Sequence, residues 1–415
     1  MEYLYKLQNI YKNQQPLNWD KVESIDEVDV IKLNTAKNEI NNTDTKKSAN
    51  LNKIAILKLN GGLGTSMGCS APKSSIIVKN NYTFIDIICK QVECLNKEFK
   101  SNIPLIFMNS LNTDKITKDL CQKYSNLDVY HFNQNFLPRL SIGLDQTFLE
   151  KNEKYNENNK DKFYPPGHGD VYQALIDSGI LNKLQSKNIE YLFISNSDNL
   201  GATLDLKILD ILCMNQIDFL MEVVPKTLAD VKGGALIKYE NKNSLLEVAQ
   251  VPKDNLEEFH DITKFKYFNT NNIWMKIELL NTGTPNMDVI YNEKKLDNNT
   301  PCVQLEIAMG SAIKHYDNSK IICVDRERFR PVKKCADLFL IQSNLFSLDQ
   351  NYNLNQKVEI LPLVNFSDKY KYIDDFNKAF PKGIPDISKL TKLHLNEYKI
   401  FDSVEDNVFI GNVEI

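Results

Sequence analysis

The sequence predicts an α/β chain: a domain with a mixed, mainly parallel sheet and helices on both faces, followed by a small β-rich C-terminal domain. Three observations carry this. Short apolar stretches alternate with helically spaced ones from Ile54 onward. A glycine-rich turn follows directly on the first buried-type stretch. Beyond about Ser347 the helical spacing weakens.

Taken in order, residues 1–50 are polar and partly helical, and Pro16 interrupts any helix through the first twenty residues. Asn34 to Asn50 is Asn- and Lys-rich and reads as a linker. Ile54-Ala55-Ile56-Leu57-Lys58-Leu59 is a buried-type strand. Thr83 to Phe99 has helical spacing, with Phe84, Ile87, Ile88, Val92 and Leu95 on one stripe that core packing accounts for. Ile103 to Met108 is a second strand, Thr113 to Tyr124 a second helix and Asp128 to Phe132 a third strand. Lys151 to Lys162 is low-complexity and is expected to be an exposed loop. Tyr191 to Ser195 is a further strand, ending at Asn196-Ser197-Asp198. Thr391 to Ile415 reads as short strands with Gly411 at a turn. The expected domains are residues 1–50, 51–346 and 347–415.

Bulk properties narrow the function classes. A length of 415 residues suits roughly two or three domains. Hydrophobic residues at 42% and charged residues at 25% are ordinary for a globular protein with a sizeable core. A net charge of −4 gives no global reason to expect nucleic-acid binding. The eight Cys form no C-x-x-C pair and the five His no H-x-x-x-H spacing, which argues against a zinc ribbon or a thioredoxin-type site. Dispersed Cys fit a reducing compartment. Met1 to Asp20 has no apolar signal core, and no apolar run approaches the ~18 residues of a membrane span. A cytoplasmic protein that binds no membrane is expected.

The loop Leu59-Asn60-Gly61-Gly62-Leu63-Gly64-Thr65-Ser66-Met67-Gly68, with Lys73 beyond it, is the feature that points to chemistry. A strand, a Gly-rich turn and then a helix present backbone N–H groups to an anion. Gly61, Gly62, Gly64 and Gly68 permit positive φ and close approach of a phosphate. A Walker A loop would need Gly before the lysine, but Pro72 stands there. A dinucleotide fingerprint would need G-x-G-x-x-G, but Gly62, Gly64 and Gly68 carry one residue too many.

With these residues in view, Lys58 to Lys73 (KLNGGLGTSMGCSAPK) resembles the signature of the eukaryotic UTP–glucose-1-phosphate uridylyltransferases, also called UDP-glucose pyrophosphorylases. Ser66 stands where the wider superfamily usually has Arg after G-T, which favours this branch over the UDP-N-acetylhexosamine pyrophosphorylases. The resemblance runs from about residue 50 to 350. It includes Met108-Asn109-Ser110, Phe132-Asn133-Gln134 and Tyr164-Pro165-Pro166-Gly167-His168-Gly169-Asp170. It continues through Ser195-Asn196-Ser197-Asp198-Asn199, Asp230-Val231-Lys232-Gly233-Gly234, Phe268 to Trp274 and Pro331-Val332-Lys333.

The resemblance implies a Rossmann-like nucleotidyltransferase domain with a left-handed β-helix-like C-terminal domain. It implies transfer of uridylyl from UTP to glucose 1-phosphate with Mg²⁺. Such chemistry needs two anions held together and their charge neutralised. Leu59, Asn60, Gly61 and Gly62 of the loop would bind the nucleotide. Lys73 would neutralise the triphosphate, and Lys333 would be a second phosphate clamp, with Lys334 beside it as the alternative. Asp198, at the end of a strand, would ligate Mg²⁺, a hard cation that prefers carboxylate and phosphate oxygens. Gln134 and Gly167 would read uracil, since an amide offers both donor and acceptor. His168, bracketed by glycines with little side-chain packing around it, would donate to the glucose phosphate rather than act as a base. Asn196 and Ser197 would contact sugar or ribose, and Gly234, Glu247, Asn269 and Asn271 the glucose hydroxyls.

Three positions depart from the pattern: Ala71 for Gly, Leu137 for Tyr, and Arg330 for an apolar residue before Pro331-Val332-Lys333. None carries a role above. Ile415 follows soon after Asn407-Val408-Phe409-Ile410-Gly411, so a β-helix short of its last turns is expected, with a monomer or small homo-oligomer rather than the octamer of animal members. Two other readings stay open: a different sugar 1-phosphate such as galactose 1-phosphate, and a non-enzymatic regulator built on the same fold.

Overall fold

The computed structural model describes residues 1–33, 50–150, 153–156, 158–231, 233–401 and 409–415. Most of the expected linker, Lys232 and Asn407-Val408 lie outside the described residues. The chain forms two compact units, each gathered from three stretches, so the units do not follow the boundaries at 50 and 346. One comprises Met1–Thr43, Phe132–Ile194 and Leu206–Val324. The other comprises Asp44–His131, Ser195–Asp205 and Asp325–Ile415.

In the second unit, the strand Ile54–Asn60 is buried along almost its whole length, as strands covered on both faces are. It runs parallel to Leu105–Asn109, pairing Ile56 with Leu105 and Asn60 with Asn109. Between them lies the helix Phe84–Phe99. Its start is set by a capping box in which Thr83 and Asp86 exchange hydrogen bonds. Phe84, Ile87, Ile88 and Val92 of the expected stripe are buried, and Leu95 is half-buried. The second helix is shorter than the spacing suggested, Asp114–Cys121. The C-terminal stretch contributes the helix Cys335–Gln342 and three strands, Leu363–Phe366, Lys389–Leu395 and Ile410–Glu414, paired in parallel.

In the first unit, Phe219–Pro225 pairs in parallel with Ser319–Cys323, which pairs in parallel with Val30–Lys32. Tyr267–Lys276 runs antiparallel to Phe219–Pro225 and to Tyr191–Asn196, so the sheet is mixed. The N-terminal helix Glu2–Asn13 ends before Pro16. Val22–Ser24 then pairs with Ala235–Tyr239, so the N-terminal segment is built into this unit's sheet rather than standing apart. Of the expected loop, Lys151, Asn152 and Glu157 lie outside the described residues; among the rest, most are exposed or half-buried, but Asn159 is buried, and its amide donates to Glu153 and to the Lys154 carbonyl. A polar run can pack when its side chains satisfy one another.

Candidate functional site

The expected site residues divide between the two units. In the second unit, the strand Ile54–Asn60 delivers the glycine loop, but no long helix follows it. Two short 3-10 turns, Thr65–Met67 and Lys73–Ser75, come first, then a hairpin, and the helix starts only at Phe84. The loop is therefore a folded coil rather than a helix N-terminus. Gly64 and Gly68 flank the first turn at φ +64° and +67°. A Cβ on Gly68 would lie 2.6 Å from the Tyr372 ring, so both backbone and contact require glycine there. Gly61 and Gly62, by contrast, are not among the positive-φ residues.

Asn60 anchors the base of the glycine loop. Its amide donates to Asn109 Oδ1 and Thr117 Oγ1, both at 2.8 Å, and its carbonyl accepts from Ser74 Oγ at 2.5 Å and Ser197 Oγ at 3.0 Å. Two donations and two acceptances use the side chain's ordinary capacity. Asn60 is thus a buried knot beneath the loop, its side chain committed to the protein. Ser197 is 6% exposed, and its hydroxyl donates to Asn60.

Above that knot, Lys73 Nζ donates to Asp198 Oδ2 at 2.8 Å, with the side chains 14% and 22% exposed. The two residues most expected to meet the phosphates and the metal are therefore brought together. Ser197 N–H donates to the Leu59 carbonyl at 3.1 Å, setting the start of the Asp198 loop beside the glycine loop. Val332 N–H donates to the Asp198 carbonyl at 3.1 Å, which seats Pro331-Val332-Lys333 next to Asp198. Lys333 is exposed, and its own N–H donates to Asp337. The Arg330 guanidinium lies 5.1 Å from the centre of the Phe346 ring, and its Nε is buried with no hydrogen-bond partner among the described residues.

In the first unit, Pro166 accepts from Ile307 N–H at 2.9 Å, which lays the Gly167-His168-Gly169 turn against the strand Pro301–Ile307. Gly167 sits at φ +83°, and a Cβ there would lie 2.6 Å from the Ile307 carbonyl. The turn is packed tightly, contrary to the expectation of little packing around His168. His168 Nδ1 accepts from Met309 N–H at 3.1 Å. That bond requires an unprotonated Nδ1, so the neutral ring carries its proton on Nε2 as a donor. Burial pulls the imidazole pKa down to about 4, which keeps it neutral.

Asp170, which the sequence reading left without a role, is fully buried and accepts from Asn135 N–H at 2.5 Å and Asn135 Nδ2 at 2.8 Å. It ties the turn to the loop carrying half-buried Gln134. Burial raises its carboxyl pKa to about 6 against the Asn135 bonds, which lower it. The signal that could have found it was the Gly-His-Gly-Asp order, with an Asp at the start of the helix Val171–Asp177.

The remaining residues meet around Gly234. A Cβ on Gly234 would lie 2.7 Å from Glu247 Oε1, so the carboxyl rests against this glycine, and burial raises the Glu247 pKa. Asn269 N–H donates to the Gly234 carbonyl at 3.3 Å. The strand pairing shifts between Glu222 and Val223, and Asn271 sits at φ +59° in the resulting bulge. Asn269 and Asn271 bond each other there, Nδ2 to Oδ1 at 2.8 Å and N to Oδ1 at 2.9 Å. Bulges of this kind re-aim side chains beside binding sites. No helix among the described residues is long and apolar enough to cross a membrane.

Solved proteins share this arrangement. A mutant UDP-glucose pyrophosphorylase from Leishmania major superposes with a TM-score of 0.86 at 31% identity, covering 99% of this chain and 90% of that one. A second mutant from that organism, solved in complex with UDP-glucose, superposes with a TM-score of 0.83 at 31% identity, covering 95% and 86%. The fold therefore belongs with the α/β nucleotidyltransferases. Within that class the chain belongs to the UTP–glucose-1-phosphate uridylyltransferase family, whose model matches residues 2–403. The curated uridylyltransferase of Musa acuminata is 42% identical over 410 residues, 97% of this chain and 86% of that one. That of Saccharomyces cerevisiae is 41% identical over 406 residues, 95% and 78%.

Proposed function

We propose that this enzyme transfers uridylyl from UTP to glucose 1-phosphate, giving UDP-glucose and pyrophosphate reversibly, without a covalent enzyme intermediate. A sugar-phosphate oxygen forms the new bond to the α-phosphorus in line, and the bond from that phosphorus to the bridging oxygen of the β-phosphate breaks. The nucleophile is already ionised near neutral pH and needs no base. The work left to the protein is to hold two anions and offset their charge. The observation that carries the reading is the Lys73–Asp198 pair, seated beside the glycine loop on the Asn60 knot. Lys73 meets the triphosphate, and Lys333 closes on the phosphates.

Asp198 is a fitting ligand for Mg²⁺, which binds proteins through one or two carboxylates and takes its other ligands from phosphates and water. When bound, the cation would neutralise phosphate charge. Gln134, next to Asn135, which Asp170 holds, reads uracil together with the Gly167 backbone. The Nε2 donor of His168 serves the sugar phosphate, and Glu247 and Asn271 the glucose hydroxyls; half-buried Asn196 meets sugar or ribose. Three parallel strands in the C-terminal stretch support a left-handed β-helix-like domain. Eight cysteines outside any disulfide support a reducing, cytoplasmic setting.

The decisive experiment is pyrophosphate release with UTP against a panel of sugar 1-phosphates. Release with glucose 1-phosphate well above that with galactose 1-phosphate is expected, and no release with glucose 1-phosphate overturns the proposal.

A further inference from the structure

Lys58 interrupts an otherwise apolar strand from Ile54 to Leu59 and is only 3% exposed. Lysine is rarely buried so deeply unless its amino group is well partnered. Lys58 Nζ donates to Ser195 Oγ at 2.7 Å and to the Ala202 carbonyl at 2.8 Å. Those acceptors stand at the two ends of one loop, and Asp198 lies between them. Further tethers hold the interior of the loop. Ser197 bonds Leu59 and Asn60, Asn199 bonds the Arg328 carbonyl and Arg330 N–H, and Gly201 approaches the Glu327 carbonyl so closely that a Cβ would lie 2.1 Å from it. These bonds leave the Asp198 carboxylate facing Lys73.

We propose that Lys58 is a positioning residue for uridylyl transfer, strapping Ser195 to Ala202 so that the loop holds the Asp198 carboxylate where the phosphates react. The proposal rests on the reading that Asp198 serves the reacting centre. Catalytic carboxylates lose effect when displaced by a fraction of an ångström, and a supporting shell of hydrogen bonds prevents this. The strap does not touch substrate, so it acts on turnover through Asp198.

The test is a double-mutant cycle. Lys58→Met keeps the chain length but removes both bonds. It is expected to lower kcat about tenfold or more while the KM for UTP changes less than about threefold. Asp198→Asn is expected to lower kcat at least about a hundredfold. The double variant should be no more than about twofold slower than Asp198→Asn alone, because the strap then has nothing left to position. Wild-type kcat in folded Lys58→Met, or losses that multiply in the double variant, overturns the role of Lys58 while leaving that of Asp198 intact. Normal turnover in Asp198→Asn overturns both. Circular dichroism and the thermal midpoint report folding. Should Lys58→Met not fold, Ser195→Ala replaces it in the cycle, with a smaller kcat loss that again vanishes in the Asp198→Asn background; a loss that persists there overturns the proposal.

Discussion

At the scale of single residues, the site is a matter of which polar atoms remain available. The Asn60 side chain is committed to four internal bonds, whereas the Lys73 and Asp198 side chains are bonded to each other and remain partly exposed. Lys73→Ala and Asp198→Asn should each lower kcat/KM about a hundredfold or more with the fold retained, since each removes charge stabilisation worth a few kcal/mol. Steady-state kinetics beside circular dichroism check this. His168 makes a second prediction. Its folded pKa lies near 4, below the ordinary 6.5, so between those values the unfolded chain takes up a proton that the folded chain refuses. Its stabilising contribution is complete above pH 6.5 and is lost as pH falls towards 4. The wild-type thermal midpoint should therefore fall more steeply than that of His168→Gln over this window, by a few degrees. The comparison isolates His168 from Asp170, whose raised pKa works in the opposite direction over part of the same range.

At the scale of elements, short turns position the chemistry. Gly167→Ala should lower the thermal midpoint by several degrees, roughly 2 kcal/mol or more, because it combines φ +83° with a 2.6 Å clash against the Ile307 carbonyl. Gly179→Ala, at φ +71° in open space, should cost less. Asp170→Asn should raise the KM for UTP about tenfold with kcat within about threefold, since it loosens the Asn135 loop beside Gln134 without touching the phosphates. The helix Phe84–Phe99 was legible because its cap and apolar stripe are local signals, and the strand Ile54–Asn60 because it is a continuous apolar run. The turns after the glycine loop were not legible: a three-residue 3-10 turn has no periodicity to read. The bulge that turns Asn271 was hidden too, since it exists only through the pairing with Phe219–Pro225.

At the scale of the whole molecule, none of the eight cysteines is in a disulfide, and an Ellman titration of the denatured, unreduced protein should find eight thiols. The sequence by itself determined the α/β class, the glycine loop and the family, and it singled out Lys73, Asp198 and His168 as candidates, because these rest on local spacing and short motifs. Only the tertiary structure decided that Asn60 and Ser197 face inward, that His168 is a neutral Nε2 donor, that Asp170 anchors Asn135 and that Lys58 straps the Asp198 loop. Each of those depends on partners far away along the chain, so the bonds arise only once packing has brought the strands and loops together.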